Sequence, residues 1–349
     1  MTASFTAMAP REGYYDKSLR AWVLSRYAEV TSALHSPNVV PHGTTASSGE
    51  AHREVRAAAM HAFAAPRLSE WHSHFSIEAC RFVAALPTNA LVDLVEGFAE
   101  PWSLEVALTV TGASRSVASE CRAAARELFL SSAHATDGAP QTTASNSATT
   151  LARLLARESP SSLADVQTFV ALSQSLPALL AGAWLALLRN PSQMLWLRED
   201  FTRIETSVGE LLRFASPARA IFREVVGDVV IGTSTLARRD RLVLLLAAAN
   251  RDAERFVDPD SLDLRRDTSG HLTFGTGVHR CAGASLVRMS VAIATEALLE
   301  GTSGLDQTDD DATPIRWIDG FAVQAPSSLP VKIRRLTTSQ EKVVDWRIA

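Results

Sequence analysis

The spacing of apolar residues is helical along most of the chain. In several segments, apolar side chains recur every three or four positions among alanine, arginine and glutamate. That period places them on one face of a helix, so each segment predicts an amphipathic or buried helix. The segments are residues 26–34, 54–63, 70–86, 151–158, 163–189, 191–200 and 202–214.

Two further stretches of the first half carry clear signals. Residues 90–112 continue in a helical pattern, in which Pro101 predicts a helix start or a kink and Gly112 predicts a stop. Residues 131–150 contain almost no large apolar side chain and many Ser, Thr, Ala and Asn residues. Because such a segment has little to bury, its composition predicts a mobile loop.

Beyond residue 219 the pattern changes from helix to strand. Runs of β-branched residues are broken by Gly227 and by a turn at Gly232, which predicts a small sheet. A strand-like segment over residues 321–333 precedes a charged tail, residues 334–349. No repeat and no linker separates two cores. We therefore expect a single domain over residues 1–349, mainly α with a small antiparallel β region.

Composition narrows the class of protein. Of the 349 residues, 46% are hydrophobic and 21% charged, as in an ordinary globular protein, and the net charge of −4 does not indicate a nucleic-acid partner. The N-terminus lacks the basic start and apolar run of a secretory leader. The longest apolar stretch, from Leu176, contains a proline and is shorter than the roughly 20 residues that span a membrane. Three widely spaced cysteines suit a reducing compartment, so we expect a soluble cytoplasmic protein without a membrane partner.

One cysteine stands in a glycine-rich stretch, LTFGTGVHRCAG, directly before a long apolar segment. A cysteine binds metal as the thiolate, and backbone N–H groups at a helix start stabilise that charge. Gly275 and Gly277 permit a tight bend with positive φ, and Gly283 permits close approach to a flat cofactor. A lone cysteine is more often a small buried hydrophobic residue, but this spacing makes Cys281 a candidate metal ligand.

The stretch resembles the heme-binding loop of the cytochrome P450 family. Six positions follow the spacing F-G-x-G-x-H-x-C-x-G: Phe274, Gly275, Gly277, His279, Cys281 and Gly283. The resemblance implies a cytochrome P450-like fold and heme b, iron protoporphyrin IX, with the cysteine as axial thiolate and Phe274, Gly275 and Gly283 against the cofactor. It runs from about residue 27 to about residue 333. Soluble bacterial members are the nearest type.

The resemblance extends to an ion-pair network ahead of this loop. Glu210 and Arg213 lie three apart, hence on one helical face. Arg266 lies in a segment similar to the family's meander. In the family, the three matching residues form a buried salt-bridge network that braces the cysteine side of the heme. We expect the same network here.

Heme propionates need cationic or N–H donors. Four residues match propionate-binding positions of the family: His52, Arg56, Arg223 and His279. His52 and Arg56 stand at i and i+4, so one helical face carries both. We expect at least three of the four to contact propionates.

The family's central helix carries an acid and an alcohol that deliver protons for cleavage of dioxygen. Matching LLAG at residues 179–182 to this motif would put Trp184 and Leu185 at the acid and alcohol positions, and neither relays protons. Matching the helix end, AWLALLRNP, puts Gln174 and Ser175 there instead. Ser175 can donate a hydrogen bond, whereas Gln174 cannot ionise, and Pro177 removes an N–H and can kink the helix.

This altered relay leaves several readings open. Ser175 with a water could do the alcohol's work, peroxide could drive the chemistry, the substrate could supply the proton path, or oxygen activation could be lost. Two parts of the family pattern are also short: the segment before residue 27 and the stretch between His52 and the central helix, where the substrate lid forms. The resemblance thus implies an unusually short member, whose heme is unusually open or is closed by another molecule.

The resemblance implies a monooxygenase that oxidises a small organic substrate of the secondary-metabolite type. Dioxygen and two electrons are required, and a separate ferredoxin with its ferredoxin reductase would supply the electrons, because the sequence has no flavin or iron–sulfur module. We expect docking near Arg56, Arg280 and Arg288. The alternatives are a catalytically silent member that supports a partner or binds a ligand, a peroxide-driven enzyme, and a heme-thiolate isomerase or dehydratase.

Overall fold

Helices make up most of the described chain. The computed structural model describes residues 11–42, 53–54, 56–57, 60–61, 63–136, 142–158, 166–308 and 313–335. Its helices are α1 Tyr27–His35, α2 Ala65–Ala85, α3 Glu100–Thr111, α4 Ala118–His134, α5 Thr142–Glu158, α6 Val166–Val170, α7 Leu176–Arg189, α8 Pro191–Glu199, α9 Arg203–Phe214, α10 Leu246–Ala249 and α11 Ala284–Glu300. Two π-helical turns are Val95–Ala99 and Ala171–Ser175, and two 3₁₀ turns are Arg115–Val117 and Gly277–His279.

Local signals locate several helix ends. Pro101 lies in the first turn of α3, directly after the π-helical turn Val95–Ala99, so the helix is irregular at this proline. Gly112 ends the same helix in the left-handed conformation, with φ of 70°, as the sequence predicts. The helix predicted at residues 70–86 begins earlier, at Ala65, because Pro66 lies in its first turn, where its missing N–H costs no hydrogen bond.

The loop predicted over residues 131–150 is wrong for most of its length. Helix α4 continues to His134 and helix α5 begins at Thr142. Helix α5 continues the face of Leu151 and Leu155, which are buried in the main core, and Ser147 on that face is buried and bonded to Glu127. Burial of one helix face therefore makes this segment helical, although its local helix propensity is weak.

The strands form small sheets at the edges of the helical body. They are β1 Tyr14–Asp16, β2 Ala21–Leu24, β3 Val39–Pro41, β4 Leu91–Asp93, β5 Ile221–Val225, β6 Val229–Ile231, β7 Ser234–Leu236, β8 Arg241–Leu244, β9 Gly304–Gln307, β10 Trp317–Asp319, β11 Gln324–Pro326 and β12 Pro330–Arg334. One sheet has the order β1-β2-β8-β5-β3, another β4-β12-β9, and β6-β7 and β10-β11 are hairpins.

The strands pair antiparallel, as the sequence predicts, with one exception. The pairs between named strands are antiparallel except β2 with β8, which run parallel with Val23 opposite Val243. The turn predicted at Gly232 joins β6 to β7 with φ of 59°. The single strand predicted over residues 321–333 is two strands, β11 and β12.

Helix α7 runs through the core. Its residues from Leu176 to Leu188 are all buried. Residues 166–189, which include α7, form the one described helix long and apolar enough to cross a membrane, and 83% of its most apolar window is buried inside the fold. Packing against the surrounding helices therefore accounts for its apolar character. The π-helical turn directly before this helix carries Gln174 and Ser175, and the cysteine loop carries Cys281 and His279.

Candidate cofactor site

The stretch around Cys281 forms the tight bend that its glycines predict. Gly275 and Gly277 have φ of 64° and 72°, a region that side chains other than glycine rarely adopt. A Cβ at Gly277 would lie 2.5 Å from the carbonyl oxygen of Leu34, so the end of α1 packs directly on the bend. The N–H of Cys281 donates to Phe274 C=O at 2.8 Å, which closes the loop just before α11 begins.

Two opposing effects act on the thiol of Cys281. Burial raises its pKa, although part of the side chain is exposed, and the N–H of Gly283 and the guanidinium groups of Arg56 and Arg280 lower it. Burial is the larger effect, so the pKa lies above its usual value. A metal ion bound to the sulfur supplies the positive charge that holds it as a thiolate.

The predicted ion-pair network is present behind the loop. Arg213 donates to both carboxylate oxygens of Glu210, through Nε at 2.7 Å and Nη2 at 2.8 Å. The Nε of Arg266 reaches Glu210 Oε1 at 3.1 Å, and the backbone N–H of Asp263 donates to the same oxygen at 3.1 Å. Glu210 and Arg213 are almost wholly buried. The predicted network of Glu210, Arg213 and Arg266 is therefore confirmed.

A buried asparagine that sequence reasoning missed links this network to the bend. Asn250 Oδ1 accepts from Leu272 N–H at 2.6 Å, and its Nδ2 donates to Thr273 Oγ1 at 3.1 Å. The C=O of Asn250 accepts from Arg213 Nη1 at 2.7 Å. The sequence signal for this role is a single amide residue, Asn250, at the end of the apolar run LLLAAAN.

The loss of the Asn250 amide is expected to destabilise the fold. In Asn250→Ala, the Leu272 N–H is left buried without its acceptor, which costs about 1–3 kcal/mol of unfolding free energy. Urea denaturation followed by circular dichroism measures this loss. The control is Asn38→Ala, whose partly exposed amide donates to Asp228 C=O, and we expect a change within about 0.5 kcal/mol. Equal midpoints for the two variants would contradict the bracing role of Asn250.

The predicted anion-binding residues have different positions. Arg56 donates to Arg280 C=O, next to Cys281, so it lies at the loop. His279 ends the 3₁₀ turn and is half-buried. Arg223 lies in β5 and donates to Phe222 C=O at 2.8 Å. His52 lies outside the described residues.

Arg223 is a half-buried cation in β5. Burial alone lowers its pKa to about 10. Among the residues with described positions, Arg223 forms no ion pair. A buried guanidinium without a carboxylate is costly unless a ligand brings the negative charge. The position therefore suits a bound anion such as a propionate.

These observations together test whether heme fits the residues present. Cys281 offers sulfur with a backbone N–H directed at it, and Arg223 offers a half-buried positive charge. A Cβ at Gly275 would meet no atom within 4 Å, and one at Gly283 would meet only the Phe63 ring at 3.8 Å. Neither glycine is closed off by a neighbouring side chain, and heme fits this donor set.

The central helix is irregular at the predicted relay. The N–H of Leu176 donates to Ala171 C=O, five residues back, which makes a π-helical turn. Pro177, next in the chain, has no N–H. In a regular α-helix Leu172 C=O would accept from the N–H of residue 176, and in a π-helical turn from that of residue 177. Here the first N–H is bonded to Ala171 C=O and the second does not exist, so neither donor is left for Leu172 C=O. π-Helical turns of this kind often accompany functional sites.

Gln174 and Ser175 lie in this π-helical turn. Gln174 is 8% exposed, and its Nε2 donates to Ser173 Oγ at 3.4 Å. Its side chain lines a small cavity with Glu100 of α3 and Arg126 of α4. The loop thus brings Arg56, His279 and Cys281 together, and Gln174 and Ser175 lie on the central helix against α3 and α4.

Known protein sequences match part of the chain. The family model for cytochrome P450 matches residues 197–326. The cytochrome P450 monooxygenase PikC of Streptomyces venezuelae is 38% identical over 158 residues, which are 45% of this chain and 38% of PikC. The 6-deoxyerythronolide B hydroxylase of Saccharopolyspora erythraea is 30% identical over 51% of this chain and 44% of its own length. The aligned part is thus less than half of either relative.

Solved structures match nearly the whole chain. The crystal structure of P450BioI in complex with an acyl carrier protein ligated to hexadec-9Z-enoic acid has a TM-score of 0.81 at 23% identity, covering 92% of this chain and 94% of that one. Mycobacterium smegmatis CYP164A2 has a TM-score of 0.82 at 20% identity, covering 92% and 93%. At this identity the likeness shows the fold, and the P450-like fold predicted from the sequence is confirmed.

Proposed function

We propose that the chain belongs to the cytochrome P450 family, whose model matches residues 197–326, and that it is a heme-thiolate monooxygenase that oxidises a small organic substrate of the secondary-metabolite type. The observation that carries this proposal is the setting of Cys281. Its sulfur receives the N–H of Gly283 at the start of a long helix, in a bend braced by the buried Glu210 network. Such a setting suits an axial thiolate.

Heme b is the cofactor in this proposal. Cys281 would ligate the iron, with Phe274, Gly275 and Gly283 beside the ring. Arg56, Arg223 and His279 would meet the propionates, together with His52 outside the described residues. When bound, the heme supplies activation of dioxygen, which thiolate ligation favours.

The central helix would manage protons in the proposed reaction. Ser175 carries a hydroxyl that can donate and accept, and the Gln174 amide can orient a water molecule but cannot ionise. Insertion of one oxygen atom converts a substrate C–H, dioxygen, two electrons and two protons into C–OH and one water. The two protons must therefore reach a site whose surroundings on α7 are buried.

Ferredoxin and ferredoxin reductase would supply the two electrons. Arg280 is exposed beside Cys281, which makes it the strongest docking candidate of the three arginines. Arg288 is a weaker candidate, because its Nη2 donates to His271 Nε2 at 2.6 Å and burial lowers its pKa. In this proposal the protein is soluble and cytoplasmic, with neither a nucleic-acid nor a membrane partner.

Charge reversal at Arg280 is expected to slow reduction by ferredoxin. Arg280→Glu should lower the rate about 10-fold at low ionic strength, and the difference should shrink as salt screens the charges. Stopped-flow reduction at several salt concentrations measures it. Arg316→Glu is the control, because its exposed side chain belongs to a different part of the fold. An Arg280→Glu rate equal to that of the control at low salt would remove Arg280 from the docking surface.

One observation favours a second candidate function. An amide at position 174, in place of an ionisable acid, suits a catalytically atypical member: a peroxide-driven enzyme, an isomerase or dehydratase, or a silent partner-supporting protein. Reconstitution separates the candidates. Small organic compounds that change the ferric spectrum are incubated with the heme-loaded protein, ferredoxin, ferredoxin reductase and labelled dioxygen.

Each outcome of that reconstitution identifies one candidate. Incorporation of one labelled oxygen atom into product supports the monooxygenase. Conversion only with added peroxide supports the peroxide-driven enzyme, and conversion without oxygen or electrons supports the isomerase or dehydratase. Binding without conversion under all three conditions supports the silent member.

A further inference from the structure

A small cavity borders the π-helical turn at Gln174. Its volume is about 20 Å³, enough for a single water molecule. Helices α3 and α4, the central helix and the β10–β11 hairpin contribute its walls. Polar side chains in the lining are Glu100, Arg126, Gln174 and Ser327. Among the described lining residues, Glu100 is the sole carboxylate.

Glu100 joins this cavity to solvent. It begins α3, and its side chain is 19% exposed. One carboxylate oxygen accepts from Arg126 Nη1 at 3.2 Å, and the other accepts from Arg122 Nη2. Both arginine side chains are more exposed than the carboxylate they hold. The carboxyl group can therefore exchange protons with water on one side and face the cavity on the other.

The proposed reaction requires such a group. Each turnover consumes two protons, and these must come from solvent. Gln174 cannot release a proton and return to its starting state, and a serine hydroxyl passes a proton on but does not store one. A carboxyl group does both, because it can hold a proton and release it again.

We propose that Glu100 is the acid of the proton path in this protein. A proton from solvent binds the Glu100 carboxylate, passes to a water in the cavity beside Gln174, and continues to Ser175. The carboxylate is then restored, so nothing is consumed except the proton. Arg122 and Arg126 orient both carboxylate oxygens. This inference rests on the proposed monooxygenase function.

The competing explanation is purely structural. Glu100, Arg122 and Arg126 tie α3 to α4, and an ion pair of this kind holds helices together without moving protons. The two explanations differ in what glutamine does at position 100. Glutamine keeps the size of glutamate and one acceptor oxygen, but it loses the charge and the second acceptor and cannot carry a proton. A purely structural tie predicts a lower thermal midpoint with an unchanged product ratio in the folded protein, whereas a relay predicts a lower product ratio.

The central experiment compares Glu100→Gln, Glu100→Asp and Glu96→Gln in the heme-loaded protein. Glu96 is an exposed carboxylate one turn earlier that does not line the cavity. With ferredoxin, its reductase and dioxygen, the readout is the ratio of oxygenated product to hydrogen peroxide. Peroxide formation and oxygen insertion each consume two electrons and two protons, so the ratio reports whether the protons arrive along the path that leads to insertion. We expect Glu100→Gln to lower this ratio about 10-fold or more, Glu100→Asp to recover most of it, and Glu96→Gln to match the wild type.

A second experiment detects the Glu100 carboxyl group directly. Infrared difference spectra of the heme-free protein across a pH titration should contain a carboxyl band that is absent in Glu100→Gln. Because the two side chains share the cavity, Gln174→Leu should shift this band, while Glu96→Gln should leave it in place. A band that does not respond to Gln174→Leu would overturn the connection between the two residues.

The variant Gln174→Leu tests the proton path in case Glu100→Gln destabilises the fold. If Glu100→Gln lowers the thermal midpoint relative to Glu96→Gln, Gln174→Leu tests the same path with the Glu100 ion pairs intact, and we expect the same fall in the product ratio. The double variant Gln174→Glu with Glu100→Gln should regain the ratio, because it moves the acid onto the helix itself.

The outcomes separate this inference from the function on which it rests. A wild-type protein that couples dioxygen to product while Glu100→Gln and Gln174→Leu couple equally well overturns the proton path and leaves the monooxygenase standing. A wild-type protein that uses no dioxygen overturns both. Loss of coupling in both variants, with rescue by the double variant, supports the path.

Discussion

The Cys281→Ala variant is expected to lose the red-shifted Soret band that a thiolate-ligated heme gives in its reduced, carbon monoxide-bound state. The effect should be complete, because Cys281 is the only sulfur in the bend formed by residues 272–283. Alanine cannot donate electron density to the iron, and heme that still binds would take another ligand or a water. Absorption spectra of the reduced protein with carbon monoxide measure the result.

The same variant should leave the fold itself nearly unchanged. The side chain of Cys281 is exposed, so its truncation creates no buried cavity. Thermal unfolding of the heme-free protein should therefore have the same midpoint before and after the substitution. Cys80→Ala is the matched control, because Cys80 is also exposed and lies on α2, and it should keep the band. Persistence of the band in Cys281→Ala, or its absence from the wild type, would defeat the assignment of the ligand.

The second large effect is expected at Arg213. Arg213→Ala removes the partner that holds both oxygens of the buried Glu210 carboxylate and leaves Arg266 as its remaining ion-pair partner. Breaking a buried ion pair by removing one member costs about 3–5 kcal/mol, because an uncompensated charge stays behind. Arg213 also donates to Asn250 C=O, so we expect its removal to destabilise the cysteine bend as well.

Urea denaturation of the heme-free protein and heme content of the purified protein measure these two consequences. We expect the unfolding midpoint of Arg213→Ala to fall sharply and its heme content to fall with it. The control is Arg334→Ala, which breaks the exposed pair with Asp306 and should cost no more than about 1 kcal/mol. If Arg213→Ala unfolds at the same urea concentration as this control, the network does not brace the loop.

Local chemistry explains which features could be predicted. The bend at Gly275 and Gly277 depends on backbone freedom that only glycine has, so its signal is contained in a few adjacent letters. The same holds for Pro101 and Gly112 at the two ends of α3. Glu210 and Arg213 are one helical turn apart, so their pairing is a local matter as well.

Contacts between residues far apart in the sequence explain the predictions that were wrong or missing. Residues 131–150 have a composition typical of loops, yet most of them are helical because α4 and α5 bury a shared face. Asn250 was passed over because its partners, Leu272 and Thr273, lie far along the chain. Arg223 could be matched to a position, but only the fold shows that it is half-buried and forms no ion pair with any described residue.

The sequence by itself determined the glycine bend around Cys281 and the mainly helical class, and it led to the proposal that Gln174 replaces an acid. These follow from residue identity, period and short spacing, which a linear string records. The tertiary structure alone decided that Glu100 shares a cavity with Gln174 and that Asn250 ties the ion-pair network to the bend. The reason is physical: which helix faces meet depends on the packing of the whole core, and no local pattern in the chain encodes that meeting.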